Sequence, residues 1–267
     1  ANTGGALREI NFYTVFSHPA PQNDPTPSAK LPVDQTVQVV GPTGKTSTLT
    51  PKQITPGALL DEAGGPIEIS KSSVVSTGAN AFNVTAGGLL GFANRDNKTQ
   101  AGDLQEFVYE VVSGDFDKVV QITGFASSVA DDTANNAGGL AARLGDGALS
   151  PSFFVNAYNP AGANNVSALG RVIEGQNLTG FSRGYPGVKE ALPNQWLRLR
   201  RVGNYFASYV GSNGTDWTLI GQRYNEWPAQ LLVGVYAQAA GYKVTDGVAS
   251  GNLNTATVSF ANYGDNK

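Results

Sequence analysis

Glu106 and Glu110 are the carboxylates whose spacing comes nearest to a hydrolytic pair in this chain. A glycoside hydrolase that retains the configuration of the sugar needs its two carboxyl groups about 5 Å apart. Residues four positions apart on one face of an extended strand are separated by roughly 13 Å. This distance is also too large for the inverting mechanism, so the two glutamates predict no glycoside hydrolysis.

Histidine and cysteine chemistry is limited by the composition. The chain has one histidine, His18, and no cysteine, so neither a disulfide nor a thiolate metal site is possible. His18 precedes Pro19 in a proline-rich segment, which is a poor setting for the rigid geometry of a catalytic triad. The run GPTGKTSTLT at residues 41–50 lacks the spacing of a phosphate-binding loop. These observations predict that the protein is not an enzyme.

Calcium is the cofactor that the sequence allows. Asp131 and Asp132 lie beside two asparagines, and Asp115 and Asp117 form a second acidic segment. Calcium takes several oxygen ligands at about 2.3–2.6 Å, often from flexible loops. A calcium site in this chain would need the same coordination. The alternative is that these aspartates are ordinary turn residues in contact with water. No other cofactor is expected.

Arg198, Arg200, Tyr205 and Tyr209 are predicted to share one face of a sheet and form the most suggestive surface of the chain. Tyrosine rings can stack on sugar rings while arginine donates to sugar hydroxyls, so the surface is a candidate glycan site. Equally, each arginine can lie over a tyrosine as an internal cation–π pair. A third alternative is that the N-terminal segment covers this face.

Two turn signals between residues 196 and 220 position these four side chains. Gly-Asn at 203–204 and Asn-Gly at 213–214 both tolerate the positive φ of two-residue hairpin loops. With such loops, Leu197 pairs with Val210, and Val210 in turn pairs with Trp217. Directly opposed residues share a face, so both turns predict one apolar face in the core. That face consists of Leu197, Leu199, Phe206, Val210, Trp217 and Leu219.

The composition favours a β protein of many short strands. Of 267 residues, 33 are glycine and 14 are proline, whereas only 15% are charged. From residue 81 onward, strand-forming segments recur at about ten-residue spacing with turn residues between them. The pattern predicts an all-β sandwich of two antiparallel sheets over residues 79–267. Residues 1–78 are assigned to an N-terminal extension, with a strand at 8–16, a proline-rich linker at 19–32, and short strands and loops.

Charge and processing indicate where the protein acts. The net charge of −3 and the isoelectric point near 5.2 provide no basic surface for nucleic acid. No apolar stretch is long enough to span a bilayer. The chain lacks methionine, even at position 1, so we expect a secreted protein whose signal peptide has been removed. Its expected location is extracellular or at the cell surface.

The segment at residues 8–17, REINFYTVFS, has strong strand propensity and precedes the proline-rich linker. A strand on such a tether can add to the open edge of a sheet in another subunit. We therefore expect Ile10, Phe12 and Val15 to be anchors in a homo-oligomer or polymer. The alternative is that the segment folds back onto its own domain.

Four structural motifs follow one another in the second part of the chain: Trp196-Leu-Arg-Leu with Arg201 and Gly203, Ser212-Asn-Gly with Trp217, Val233-Gly-Val, and Ser259-Phe-Ala-Asn. Their order resembles that of concanavalin A-like, laminin-G-like modules of exported bacterial proteins, over about residues 80–264. The resemblance implies a jelly-roll topology, and this fold hosts lectins, glycosidases and scaffolds alike. Glycosidases of this fold carry a Glu-x-Asp-x-Glu pattern, which is absent here, and laminin-G-like modules often carry calcium.

Together these observations predict a non-enzymatic structural subunit of a cell-surface or extracellular assembly, in which N-terminal strands join the subunits, for example into a filament. A lectin-like module that binds polysaccharide is the alternative. A glycoside hydrolase comes third.

Overall fold

The computed structural model describes residues 36–55, 72–87, 103–127, 136–158, 165–176, 178–181, 192–239 and 255–267, together with the backbone of 243–245 and 248–250. Within these ranges the chain forms strands, turns and loops and contains no helix, so no helix there could cross a membrane. The prediction of an all-β protein is confirmed.

The strands are numbered in chain order. They are β1 (Val37–Val40), β2 (Thr46–Ile54), β3 (Ser73–Gly78), β4 (Ala81–Gly87), β5 (Gln105–Ser113), β6 (Phe116–Ser127), β7 (Ala137–Arg143), β8 (Ser152–Tyr158), β9 (Asn165–Arg171), β10 (Thr179–Gly180), β11 (Gln195–Val202), β12 (Tyr205–Gly211), β13 (Thr218–Tyr224), β14 (Gln230–Gln238), β15 (Lys243–Thr245), β16 (Val248–Ser250) and β17 (Thr255–Asp265).

Two antiparallel sheets pack face to face, as predicted. The eight-stranded sheet has the order β1-β2-β5-β14-β7-β8-β9-β10, and the seven-stranded sheet has the order β13-β12-β11-β6-β17-β4-β3. Strands β15 and β16 pair separately. The chain passes repeatedly between the sheets, for example from β5 in the first to β6 in the second and back to β7. This is a jelly-roll sandwich.

The main core lies between the sheets because alternate residues of each strand point inward. In β17, Val258 and Phe260 are fully buried, whereas Ser259 between them is partly exposed. Full burial of an apolar side chain of this size contributes about 1.5–3 kcal/mol. A second apolar cluster occupies the opposite face of the eight-stranded sheet and includes Ile54, Phe107, Phe154, Leu169 and Tyr236.

Part of the predicted N-terminal extension belongs to these sheets. Residues 37–78 supply β1, β2 and β3. Strand β1 pairs with β2, β2 also pairs with β5, and β3 pairs with β4. Residues 35–267 form one compact unit. The predicted strand at 8–16 and the linker at 19–32 lie outside the described residues.

The first hairpin, β11–β12, has the predicted register. Val202 lies opposite Tyr205, and Leu197 lies opposite Val210. Gly203 has a φ of 58°, which a type II′ turn requires at its first central position. The inward side chains of this hairpin are fully buried: Leu197, Leu199, Phe206 and Val210.

The connection between β12 and β13 is not the two-residue turn that Asn213-Gly214 predicts. The side-chain oxygen of Asn213 accepts hydrogen bonds from the backbone N–H groups of Thr215 (3.0 Å) and Asp216 (2.9 Å). Its amide nitrogen donates to the Asp216 carboxylate at 2.7 Å. These bonds close an Asx-type turn, so residues 212–217 form a longer loop instead of a tight hairpin.

The longer loop shifts the register of β13 and corrects two core assignments. Leu219 lies opposite Tyr209, a bulge follows, and Ile220 takes the inward position with 1% exposure. Leu219 is 45% exposed, and Trp217 is half-buried on the outer face of the sheet. Both residues were predicted to be in the core. A shift of one residue exchanges the faces of a strand, which explains the error.

Glu106 is a buried carboxyl on the inward face of β5, with 3% exposure. Burial raises the pKa of Glu106 to about 7, and the opposing influence of the Ser72 hydroxyl and the Lys52 ammonium is smaller. Its Oε2 atom has no hydrogen-bond partner among the described residues. The charged form is therefore costly in the folded protein.

The eight-stranded sheet also carries a buried ion cluster. The Asp103 carboxylate accepts from Arg143 at 2.6 Å and from Arg171 through two contacts at 2.9 Å. Burial alone would raise the pKa of Asp103, but the two guanidinium groups hold it below its ordinary value. The arginines also donate to backbone carbonyls, including those of Gly147 and Gln176, and so fix the loops that follow β7 and β9.

The register of β13 can be tested by paired truncations. We expect Phe206→Ala to reduce the free energy of unfolding by about 3–5 kcal/mol, because it leaves a cavity in the core. Leu219→Ala should change it by about 0.5 kcal/mol or less, since Leu219 faces solvent. Denaturant unfolding measures both, and a large loss in Leu219→Ala would contradict the shifted register.

The pKa of Glu106 predicts a specific pH dependence of stability. Between the ordinary value of 4.5 and about 7, the folded state holds a proton that the unfolded state has lost, so stability falls as the pH rises. Above pH 7 the accumulated cost is about 3 kcal/mol. Glu106→Gln should remove this slope and be the more stable form at pH 8. Denaturant unfolding at pH 5 and pH 8 measures the difference, and equal slopes in both proteins would contradict it.

Candidate functional site

The predicted arginine and tyrosine side chains lie on the outer face of the seven-stranded sheet. Strand β11 directs Arg198 and Arg200 outward because the alternating residues Leu197 and Leu199 face the core. Arg198 lies opposite Tyr209 of β12, and Tyr205 lies at the turn end of the same face. The structure therefore brings the four side chains to one surface, but it gives them different surroundings.

Arg198 and Tyr209 are engaged within the protein. The guanidinium of Arg198 donates two hydrogen bonds to the Asp117 carboxylate, at 2.6 and 2.5 Å. Its central carbon lies 4.9 Å from the ring centre of Tyr209 and 5.6 Å from that of Trp217. The hydrogen bonds to Asp117 raise the pKa of Arg198. Of the three alternatives for this surface, the internal cation–π pair describes Arg198 and Tyr209.

Tyr205 remains open and has an unpredicted partner in Tyr224. Tyr205 is 62% exposed and Tyr224 is 50% exposed, and their ring centres lie 5.2 Å apart in an edge-to-face arrangement. The hydroxyl of Tyr224 donates to Glu226 at 2.8 Å and accepts from the side chain of Asn204 at 3.3 Å. We call Tyr205 and Tyr224 the tyrosine platform.

Arg200 is the polar neighbour that remains available beside the platform. Its side chain is about half exposed, and its ion pair with Asp117 is loose, at 3.8 Å. The Asp117 carboxylate is already bound closely by Arg198. Arg200 therefore keeps most of its five N–H donors directed to solvent.

The sequence missed Tyr224 because its position opposite Tyr205 depends on two one-residue shifts, one at the loop 212–217 and one at the bulge in β13. Tyr224 lies opposite Tyr205 only in the register that follows the bulge in β13. Recognition of Asn213 as a loop-closing residue would have indicated only the first shift, which alone would place Arg223 opposite Tyr205.

The aspartates proposed as calcium ligands serve other contacts where the structure describes them. Asp115 accepts the backbone N–H of Gly203 at 2.7 Å, and Asp117 is paired with Arg198. Asp131 and Asp132 lie outside the described residues. Within the described ranges, no group of three or more histidine or acidic side chains is placed to hold a metal ion.

The two candidate carboxylates of β5 do not form a pair on the surface. Glu106 and Glu110 both point toward the inside of the sandwich, consistent with their spacing on one strand face. Glu110 accepts from Lys118 at 2.8 Å and from the Tyr263 hydroxyl at 2.9 Å, which links the two sheets. Burial, together with the nearby Glu110 charge, raises the pKa of Tyr263.

Comparison with known proteins finds solved structures of similar architecture. No protein-family model and no curated protein matches the chain. A functionally unknown protein from Saccharomyces cerevisiae has a TM-score of 0.52 and 14% identity, over 74% of this chain and 91% of that one. The kappa-carrageenase of Pseudoalteromonas carrageenovora has a TM-score of 0.40 and 10% identity, over 88% and 99%. Lectin I-B4 of Griffonia simplicifolia has a TM-score of 0.37 and 7% identity, over 74% and 92%.

These similarities correct the prediction that the chain is not an enzyme. Besides the carrageenase, the similar structures include a xylan β-1,4-xylosidase, of which this chain spans 33%, and a β-1,3-1,4-glucanase. Glycoside hydrolases thus recur among them, and the exclusion based on missing motifs is wrong. Identities this low show the fold alone. No family match supports membership among the laminin-G-like modules of exported proteins. The chain is a jelly-roll sandwich similar to those of carbohydrate-active enzymes and lectins.

Proposed function

We propose that this protein binds carbohydrate through the tyrosine platform. The observation that carries the proposal is the pair of solvent-exposed rings, Tyr205 and Tyr224, held in contact on neighbouring strands. Isolated exposed apolar residues are common, but a contiguous aromatic patch rimmed by polar groups is typical of a binding surface. The exposed side chain of Val202, opposite Tyr205, extends this patch.

The groups around the platform match the chemistry of a sugar. The apolar C–H face of a pyranose ring packs on an aromatic ring, while its hydroxyls need both donors and acceptors. Arg200 supplies donors, and the Glu226 carboxylate and the Asn204 side-chain oxygen supply acceptors. Because Tyr224 is oriented by Glu226 and Asn204, little side-chain entropy is lost on binding.

A second candidate is self-assembly by strand addition, the structural-subunit function expected from the sequence. Strand β3 is the last strand of its sheet, and among the described strands it pairs only with β4. Val74 packs against the core, whereas the other side chains of β3 face solvent, and Val75 is 55% exposed. An edge of this kind offers free backbone donors and acceptors to a strand from another subunit.

The proposed donor strand is the N-terminal segment with Ile10, Phe12 and Val15, which lie outside the described residues. Polymer formation and an extracellular location stay predictions from the sequence. Calcium also stays a prediction, with Asp131 and Asp132 as the aspartates whose surroundings are not described.

Glycan binding is tested by two kinds of substitution at Tyr205, one that removes the whole ring and one that removes only its hydroxyl. We expect Tyr205→Ala and Tyr224→Ala each to weaken binding to a polysaccharide retained by the wild type by about tenfold or more, which corresponds to about 1.4 kcal/mol. Tyr205→Phe should retain most of the affinity, because it keeps the ring. A glycan array followed by calorimetry measures this effect.

A matched control for the platform is Val111→Ala, which truncates an exposed residue of the eight-stranded sheet. Equal binding by wild type and the Tyr205→Ala/Tyr224→Ala double variant would refute the platform as the site. The same polysaccharides, assayed for released reducing sugar, report any hydrolysis.

Self-assembly is tested by size-exclusion chromatography with light scattering. We expect the full chain to form oligomers at high concentration, and deletion of residues 1–20 to leave monomers. Val75→Lys should also reduce assembly, because a charge on an edge strand opposes strand addition. Val111→Lys is the matched control. A monodisperse monomer of the full chain at high concentration would rule out this function.

A further inference from the structure

A cleft of about 590 Å³ lies at the other end of the seven-stranded sheet from the tyrosine platform. Five separate segments line it: the end of β1 with the following turn, the β3–β4 turn, the start of β11, the loop at 212–217, and the irregular part of β17 with the residues after it. Its volume lies in the range of small-molecule sites. Trp196 of β11 contributes an aromatic wall, and we call the feature the Trp196 cleft.

A chain of carboxamides forms the polar side of the cleft. Asn80 donates to the side-chain oxygen of Asn262 at 2.9 Å, and Asn262 donates to that of Gln121 at 2.8 Å. Gln121 in turn donates to the carbonyl of Pro193 at 2.8 Å. Each carboxamide nitrogen has two hydrogens, and each uses one of them in this chain. The orientations of Asn80 and Asn262 are therefore set before a ligand arrives, while donors remain for it.

The backbone of Asn262 is held in an unusual conformation. Its φ is 55°, and no other non-glycine residue in the described part of the chain has a positive φ. The register of β17 is irregular here, between Ala261 and Gly264, and the Asn262 N–H donates to the carbonyl of Asn80 at 2.7 Å. Asparagine tolerates this region better than most residues, and such conformations cluster at functional sites.

The aromatic wall depends on a glycine. A Cβ atom on Gly214 would lie 3.0–3.1 Å from three carbons of the Trp196 indole, and the φ of Gly214 is 74°. Only glycine meets both conditions without displacement, so the loop at 212–217 lies directly against the indole. The loop that orders β13 thus also encloses the cleft.

We propose that the Trp196 cleft is a second binding site, for an uncharged mono- or disaccharide. The amides of Asn80, Asn213 and Asn262 and the hydroxyl of Thr215 provide neutral donors and acceptors, as sugar hydroxyls require. Trp196 and Pro42 provide apolar surface for the C–H groups of the sugar. No aspartate or glutamate side chain belongs to the described lining, and Lys267 supplies its one charged side chain. The site does not depend on the tyrosine platform for any of its contacts.

The test uses calorimetric titration of the full chain with glucose, galactose, mannose, N-acetylglucosamine, cellobiose and lactose, each separately. We expect at least one of these sugars to bind with a Kd in the millimolar range or tighter. Asn80→Ala and Trp196→Phe should each weaken that binding at least tenfold. Asn80 is exposed in a turn, so its variant should keep the wild-type melting temperature.

Two controls separate this site from the platform. Asn204→Ala makes the same substitution in the turn at the platform end, and it should leave the small-sugar affinity unchanged. The Tyr205→Ala/Tyr224→Ala double variant should do the same, although polysaccharide binding by the platform is lost. The proposal is overturned if none of the six sugars binds or if Asn80→Ala binds like the wild type. Binding of inorganic sulfate in place of sugar, lost in Lys267→Ala, would identify an anion site and also overturn it.

Discussion

The hydrogen bonds made by the Asn213 side chain determine the outer surface of the seven-stranded sheet. They close the loop at 212–217 and thereby move β13 by one residue relative to a tight hairpin. Two face assignments in β13 follow from that shift: Ile220 packs in the core, and Leu219 faces solvent. The bulge after Leu219 determines the faces of the residues that follow. Each bond contributes only about 1 kcal/mol, yet the two together select between registers that exchange the faces of Leu219 and Ile220.

Several arginine side chains make their contacts within the fold, so they are not available to bind a ligand. Arg201 is buried and donates to the carbonyls of Gly203, Trp227 and Pro228, which joins the β11–β12 turn to the segment before β14. Arg198 is occupied by Asp117, and the ion cluster around Asp103 is fully buried. Buried guanidinium groups need such partners because their desolvation is costly. Beside the tyrosine platform, Arg200 is the arginine of β11 that stays about half exposed.

The sequence predicted the elements whose geometry depends on residues that are close together in the chain. The alternation of Leu197 and Leu199 with arginines, closed by the glycine turn at 203, was sufficient for the β11–β12 register. The prediction for the second turn was wrong because hydrogen bonds to the Asn213 side chain close a longer loop. Asn-Gly usually indicates a two-residue turn instead. The partner of Arg198 could not be found in the same way, since Asp117 lies 81 positions away. The Trp196 cleft joins five distant segments and has no signature in any one of them.

The strand order has a consequence for how the chain folds during synthesis. Strand β14 lies between β5 and β7 in one sheet, and β17 lies between β4 and β6 in the other. Both sheets therefore keep a gap in the middle until strands from late in the sequence are made. Earlier strands would meanwhile expose interior edges and apolar faces, as in other folds dominated by long-range pairing. A nascent chain that stalls before residue 230 lacks an interior strand of each sheet, so it presents edges that a chaperone or another nascent chain can pair with.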